Sequence, residues 1–233
     1  MHTLPLIREM VDDFVSLFFP KICIHCGNPL VYQEEHICIK CRLSLPKTNF
    51  HLVPENPLYQ KLAYEPKVRQ ATAFLHYYKK GIAQTLIHHL KYKELPEIGV
   101  MIGEWYGSDL LEMGWNPDYI IPVPLHHSKL ARRGYNQSER FADGLSRKMN
   151  VPVAQNLISR VVKTTTQTRK SKVQRLENVS SIYETNDQEK LNGKNVLVVD
   201  DVLTTGATIG ELVMLLAASG VNDIYVAVIA AGK

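Results

Sequence analysis

Thirteen consecutive residues carry the clearest chemical signal in this chain. Positions 196–208 read Val-Leu-Val-Val-Asp-Asp-Val-Leu-Thr-Thr-Gly-Ala-Thr. The four leading aliphatic residues predict a buried strand over 196–199 that delivers two adjacent carboxylates, Asp200 and Asp201, to its carboxyl end. A short loop rich in threonine and glycine then opens a helix. In open α/β sheets ligands sit at the carboxyl ends of strands. The N–H groups of a helix N-terminus, backed by the helix dipole, form a ready phosphate site. Gly206 lets the backbone come close, and Ala207 follows it without bulk. The hydroxyls of Thr204, Thr205 and Thr208 add donors. Carboxylates repel phosphate, so the acids need another partner: adjacent hydroxyls of a sugar, directly or through Mg2+. Together these features predict a pocket for a ribose 5-phosphate, with acids on the 2′ and 3′ hydroxyls and the loop on the 5′-phosphate. The competing reading has Asp-Asp cap the following helix and the threonines make a turn; thirteen residues in register at a strand-to-helix junction argue against it.

A second constellation is made of all four cysteines of the chain. They stand as Cys23-x-x-Cys26 and, eleven residues on, Cys38-x-x-Cys41. Such paired knuckles in a cytosolic chain mean metal rather than disulfides. Four soft thiolates suit a tetrahedral Zn2+ site with no open position, hence a structural one. His25 and His36 are read as bystanders.

Elements must position these groups. Residues 4–18 place Ile7, Met10, Val11, Phe14, Val15 and Phe18 on one helical face, and Pro20 stops the pattern. The stretch 46–57, rich in Pro, Asn and Glu, reads as a linker. The chain is therefore divided into residues 1–57 (helix, zinc ribbon and linker) and residues 58–233 (the α/β domain). Strands are expected over 71–78, 118–123, 195–199 and 221–230, with helices over 81–92, 98–113, 138–149 and 208–219. Alternating strands and helices imply a doubly wound, mainly parallel sheet.

The composition, 45% hydrophobic and 21% charged, is that of a folded chain rather than a disordered one. No apolar run approaches the roughly 20 residues of a membrane span. The apolar stretch 14–20 follows Glu9, Asp12 and Asp13 instead of a basic leader, so export is not expected and a cytoplasmic location is. Charge is uneven. Residues 126–175 hold twelve Lys and Arg against two acids, a local charge of +10 in a chain of net charge +4. A solvated basic face would account for this, and so would a polyanionic partner.

The 196–208 segment resembles the 5-phosphoribosyl-1-pyrophosphate (PRPP) motif of type I phosphoribosyltransferases. The chain as a whole resembles the ComF (competence protein F-like) family over nearly its full length. The resemblance includes Leu-Phe-Phe-Pro at 17–20, the double CxxC, His-Leu-Lys-Tyr at 89–92, Ile-Pro-Val-Pro-Leu at 121–125 and Arg-Gly-Tyr-Asn-Gln at 133–137. It continues through Arg160, Gln167, Arg175 and Asn178. Tyr135 stands where the family more often has Phe, a change expected to be silent. The stretch from Lys91 to Gly99 is longer than the Lys-Tyr-x-Gly of the family, so Lys91 receives no role.

The resemblance implies a type I phosphoribosyltransferase fold, a PRPP ligand with Mg2+ at Asp200 and Asp201, and pyrophosphate held in a loop after an earlier strand. That loop is 124–137, with Arg133 and Gly134 as its leading contacts and Arg132 and Lys129 behind them. Departure of pyrophosphate leaves an oxocarbenium-like ribose, which the two acids can stabilise while fixed cations neutralise the leaving group. A loop over 164–175 would cover the reaction centre, with Arg169, Lys170, Lys172 and Arg175 facing pyrophosphate or single-stranded DNA. Implied partners are PRPP, single-stranded DNA, a competence helicase and a second copy of the chain. Three functions compete: a PRPP-binding protein of DNA uptake that transfers phosphoribosyl groups to an unnamed acceptor, a metabolic phosphoribosyltransferase with no part in DNA handling, and a scaffold that has lost catalysis.

Overall fold

The computed structural model describes residues 19–31, 33–161 and 182–232. The expected helix over 4–18 and the basic residues Arg169, Lys170, Lys172 and Arg175 lie outside them.

Beyond the first cysteine knuckle comes a short helix α1 (Ile39–Leu43), then a single 3-10 turn and α2 (Pro57–Gln60). The α/β part follows as β1 (Val68–His76), α3 (Ile82–Tyr92), α4 (Glu97–Glu112), β2 (Tyr119–Pro122), α5 (His127–Arg133) and α6 (Gln137–Met149). It ends with β3 (Ile158–Arg160), β4 (Tyr183–Thr185), α7 (Gln188–Leu191), β5 (Val196–Leu203), α8 (Ala207–Ala218) and β6 (Ile224–Ala231). The main sheet has the order β1-β6-β5-β2 and is parallel throughout. β3 and β4 form a separate antiparallel pair.

The doubly wound reading holds because each strand of the sheet's centre is apolar on both faces. Leu197, Val199, Ala227 and Ile229 pack with α3, α4 and α6, whereas Val196, Val198, Val226 and Val228 pack with α8 and the β3–β4 pair. Val196 to Val199 are all fully buried. Each edge of the sheet is covered: Thr48 and His76 tie the segment before β1 to that strand, and Val153 bridges alongside Ile120 of β2.

Helices α3 and α6 follow ordinary rules, with buried Ile82, Ala83, Leu86, Ile87 and Leu90 at i, i+3/i+4 spacing on α3. The α4–α6 contact is unusual. Gly99, Gly103 and Gly107 make a stripe on α4, and a Cβ at Gly103 would overlap the Phe141 carbonyl. On the facing helix a Cβ at Gly144 would overlap the Val100 carbonyl. The two backbones touch, which fixes where the N-terminus of α6 lies against β5.

Two expectations change. β5 does not stop at Val199 but carries both acids and ends at Leu203, because β6 continues opposite it, with Asp200 beside Val228 and Leu203 beside Ala231. The segment 124–137, read as a loop, contains α5 and its left-handed C-cap Gly134 (φ 77°).

Candidate functional site

Asp200 and Asp201 occupy the last turn of pleat in β5, where successive side chains diverge. They therefore receive different partners. The Ser138 hydroxyl, at the start of α6, donates to Asp200 Oδ1 at 2.8 Å, and the Asp201 N–H donates to the same oxygen at 2.8 Å. Ser138 is itself placed by the N-cap of α6: its N–H donates to Asn136 Oδ1, and the Asn136 amide donates to the Val123 carbonyl at the end of β2. Burial raises the Asp200 carboxyl and the Asp201 charge adds to it. These outweigh the two hydrogen bonds and push the group up to about 7. Asp201 Oδ2 instead meets Lys91 Nζ at 2.8 Å, an ion pair largely shielded from solvent.

The loop after β5 has the conformation the residue types imply. Gly206 is left-handed (φ 84°) and starts α8, and Thr205 Oγ1 accepts from the Ala207 N–H at 3.4 Å. A Cβ on Gly206 would meet nothing closer than 3.9 Å, so the glycine is needed here for its backbone angle. Thr204, Thr205, Ala207 and Thr208 are exposed, at the end of α8 where the first N–H groups lack intrahelical acceptors. Residues 202–209 with Asp200 line one concavity. Lys61, from the segment after α2, donates to the Thr204 carbonyl at 2.7 Å and steadies the rim.

Arg133 lies at the end of α5. Its guanidinium sits 5.3 Å over the Tyr92 ring and donates to Gln137 Oε1 at 2.6 Å, and its buried Nε has no hydrogen-bond partner among the described residues. Because Tyr92 adjoins Lys91, the end of α3 links Arg133 to Asp201. Lys129 and Arg132, on α5, are exposed, and Gly134 serves as the cap of that helix.

Lys91, Ser138, Tyr92 and Lys61 were not picked out by spacing. For Lys91 the extra length before Gly99 argues against a role, yet that length is spent in the turn between α3 and α4, beyond the lysine. Tyr135 also departs from its expectation: its hydroxyl donates to the Leu90 carbonyl at 2.5 Å, so the change from Phe adds a tie between the α5–α6 junction and α3.

The four cysteine sulfurs all lie within 4.8 Å of one another, and Cys26 Sγ and Cys38 Sγ are 3.7 Å apart. A tetrahedron with metal–sulfur bonds of about 2.3 Å has edges of about 3.8 Å, so the cluster has the size of a metal shell. Burial would raise the Cys23 thiol, but the N–H groups of Cys26, Cys38 and His25 bring it down to about 6. Cys41 goes the other way, raised by burial and by its sulfur neighbours. His25 turns to Thr85 of α3 (3.1 Å) and stays out of the cluster. Cys23, Ile37, Cys38 and Cys41 share one apolar cluster with Phe74, Leu86 and Tyr106, and Arg42 stacks 4.6 Å over Trp105 of α4.

The phosphoribosyl transferase domain model matches residues 135–233, the part of the chain that holds β5, its acid pair and the glycine-started helix. Among solved structures, 60% of the chain is similar to 29% of "the allosteric regulatory enzyme of purine biosynthesis", at 17% identity and a TM-score of 0.44. The chain is 30% identical over 213 residues to Competence protein F of Haemophilus influenzae, covering 88% of itself and 82% of that protein. It is 28% identical over 227 residues to the DNA utilization protein YhgH of Escherichia coli O157:H7, covering 90% and 96%. The chain belongs to the competence protein F (ComF) family.

Proposed function

We propose that this chain binds PRPP with Mg2+ at the end of β5, acts in the cytoplasm in support of DNA uptake, and transfers the phosphoribosyl group to an acceptor still to be identified. One observation carries the reading: two carboxylates with separate partners stand near the start of a glycine-started helix whose threonines are exposed. The loop from Thr204 to Thr208 would hold the 5′-phosphate, and the acids would hold the ribose hydroxyls. Arg133 would face the pyrophosphate with its guanidinium, which the Tyr92 ring and Gln137 hold in place. The donor set fits a hard cation, since Asp200 and Asp201 offer only oxygen. When bound, Mg2+ would neutralise charge on the leaving pyrophosphate. Among the described residues no helix is long and apolar enough to cross a membrane, which accords with that location.

In this reading residues 58–233 form the transferase domain and residues 1–57 a module whose four cysteines hold structural Zn2+. The test is calorimetry with PRPP and Mg2+ on wild type and on the double variant Asp200→Asn, Asp201→Asn. Saturable heat in the wild type, lost in the variant, is the expected result. Equal heats, or none in either protein, would refute it.

The DNA part is favoured by the named relatives and by exposed Lys129, Arg132, Arg147 and Lys148 in the basic window. Affinity for single-stranded DNA should fall steeply between 50 and 200 mM salt, by about 10³ for six neutralised phosphates. Fluorescence anisotropy at low ionic strength showing no binding would remove DNA from the account.

A further inference from the structure

The acid pair meets a cation before any ligand arrives. Lys91 Nζ lies 2.8 Å from Asp201 Oδ2, with the two side chains only 21% and 14% exposed. Among the described residues Asp200 has no ion-pair partner; one of its oxygens is taken by the Ser138 hydroxyl and the Asp201 N–H. Lys91 is in the last turn of α3, where the helix dipole favours a cation. The preceding carbonyl, that of Leu90, is held by the Tyr135 hydroxyl, so the backbone under Lys91 is anchored. Its four-carbon stem can still pivot. The next residue, Tyr92, carries the guanidinium of Arg133 on its ring.

Resting on the reading of this pocket as a PRPP and Mg2+ site, we propose that Lys91 is an internal counter-ion. It holds the divalent-cation position on Asp201 in the ligand-free protein and is exchanged when ligand binds, turning to join Arg133 at the pyrophosphate. The geometry of that one oxygen favours the exchange. An oxygen held by an ammonium at 2.8 Å cannot also coordinate a metal at about 2.0–2.1 Å without bringing two positive charges into contact. A free divalent cation would have to displace the ammonium into water, at the loss of its ion pair. PRPP brings phosphates that receive it, so metal and PRPP should enter together. The pocket then rejects free metal and unphosphorylated sugar alike, because neither gives Lys91 a new partner.

The test uses Mn2+ as the spectroscopic probe on full-length, zinc-replete protein, followed by electron paramagnetic resonance without and with PRPP. Lys91→Met should bind Mn2+ alone about tenfold more tightly than wild type, and PRPP in saturating Mn2+ about tenfold more weakly, within the usual range of coupling between linked sites. Opposite signs in the two titrations are the signature, because a merely structural loss weakens both. Adding Asp201→Asn to Lys91→Met should abolish the gain in Mn2+ affinity. Lys91→Gln, uncharged but still polar at its tip, serves if the methionine variant melts early. Unchanged or weaker Mn2+ binding in the Lys91 variants, or a gain that survives Asp201→Asn, would overturn the exchange. Failure of every form to bind PRPP would instead refute the pocket reading, and a tenfold Mn2+ gain would still report the displaced lysine.

Discussion

The cysteine cluster draws four ligands of one type from residues 23–41, whereas the acid-pair site draws different groups from α3, α5, α6, β5 and α8. In the first, local turns bring the sulfurs together at the spacing of a closed metal shell. In the second, the chemistry depends on helices delivered from far along the chain, and the site stays open on the side of Gly206. A closed shell should therefore fail by unfolding, and the open one by losing its ligand. The largest expected effect is on the closed one. Removing metal with a chelator, or changing Cys38→Ser, should lower the melting temperature by more than about 10 °C, given apparent zinc contributions of order 10 kcal/mol in small modules and roughly 2–4 °C per kcal/mol here. The loss should spread beyond the module because Cys23, Cys38 and Cys41 share a core with Phe74 and Tyr106. Differential scanning calorimetry of metal-replete and metal-free protein checks this. A separate small transition for residues 19–45, with the main one unmoved, would show that the two regions are energetically independent.

Next in size is the α4–α6 contact, on which the open site relies. Gly144→Ala places a methyl against the Val100 carbonyl, and backbone on both sides leaves no flexible atom to yield. A loss of about 3 kcal/mol or more is expected, at the upper end for overpacking. PRPP affinity should fall with it, because α6 carries Ser138 and Asn136 to Asp200 and β2. Gly134→Ala makes the contrast: open space surrounds it, so only the left-handed backbone angle opposes the change, at about 1 kcal/mol. Urea denaturation of both variants separates crowding from conformational strain.

Asp200→Asn should have the opposite sign on stability. Burial and Asp201 raise the Asp200 carboxyl from 3.8 to about 7 in the folded state. A raised folded value means stability that is fully present below about pH 4 and lost as pH rises through about 7. The variant escapes that loss. It should match wild type near pH 4 and exceed it above pH 7, by a few degrees in melting temperature, while binding PRPP worse. A difference that does not vary with pH would mean the carboxyl ionises in the fold as it does in water.

How much of this was legible depends on how far apart the cooperating residues lie. The cysteine spacing names its own geometry, and the 196–208 pattern names its strand, loop and helix, because both are local. Continuous apolar runs place the strands of the sheet, and the 3.6-residue period places its helices, within a few residues. The end of β5 was misjudged because charge at Asp200 and Asp201 breaks an apolar run, although β6 still pairs with them. Helix α5 was missed because His127 to Arg133 buries nothing, so no apolar stripe marks it. The Lys91–Asp201 and Ser138–Asp200 contacts span over a hundred and over sixty positions, and a single sequence carries no sign of which hydroxyl or ammonium will arrive.

The smallest predicted effect concerns one oxygen atom. The Tyr135 hydroxyl donates to the Leu90 carbonyl, one of the last of α3 and therefore without an intrahelical donor. Tyr135→Phe should cost about 1 kcal/mol, the usual net worth of such a bond, and lower the melting temperature by about 2–4 °C. The ring stays, so the packing stays, and the loss is confined to the tie between the start of α6 and the end of α3. That tie fixes the backbone between Lys91 and Arg133. PRPP affinity should therefore fall by a small factor even where stability is restored with osmolyte, and Mn2+ binding alone should not change. A melting shift with no change in PRPP affinity would mean that the open site, unlike the closed one, tolerates slack in the elements that carry its cations.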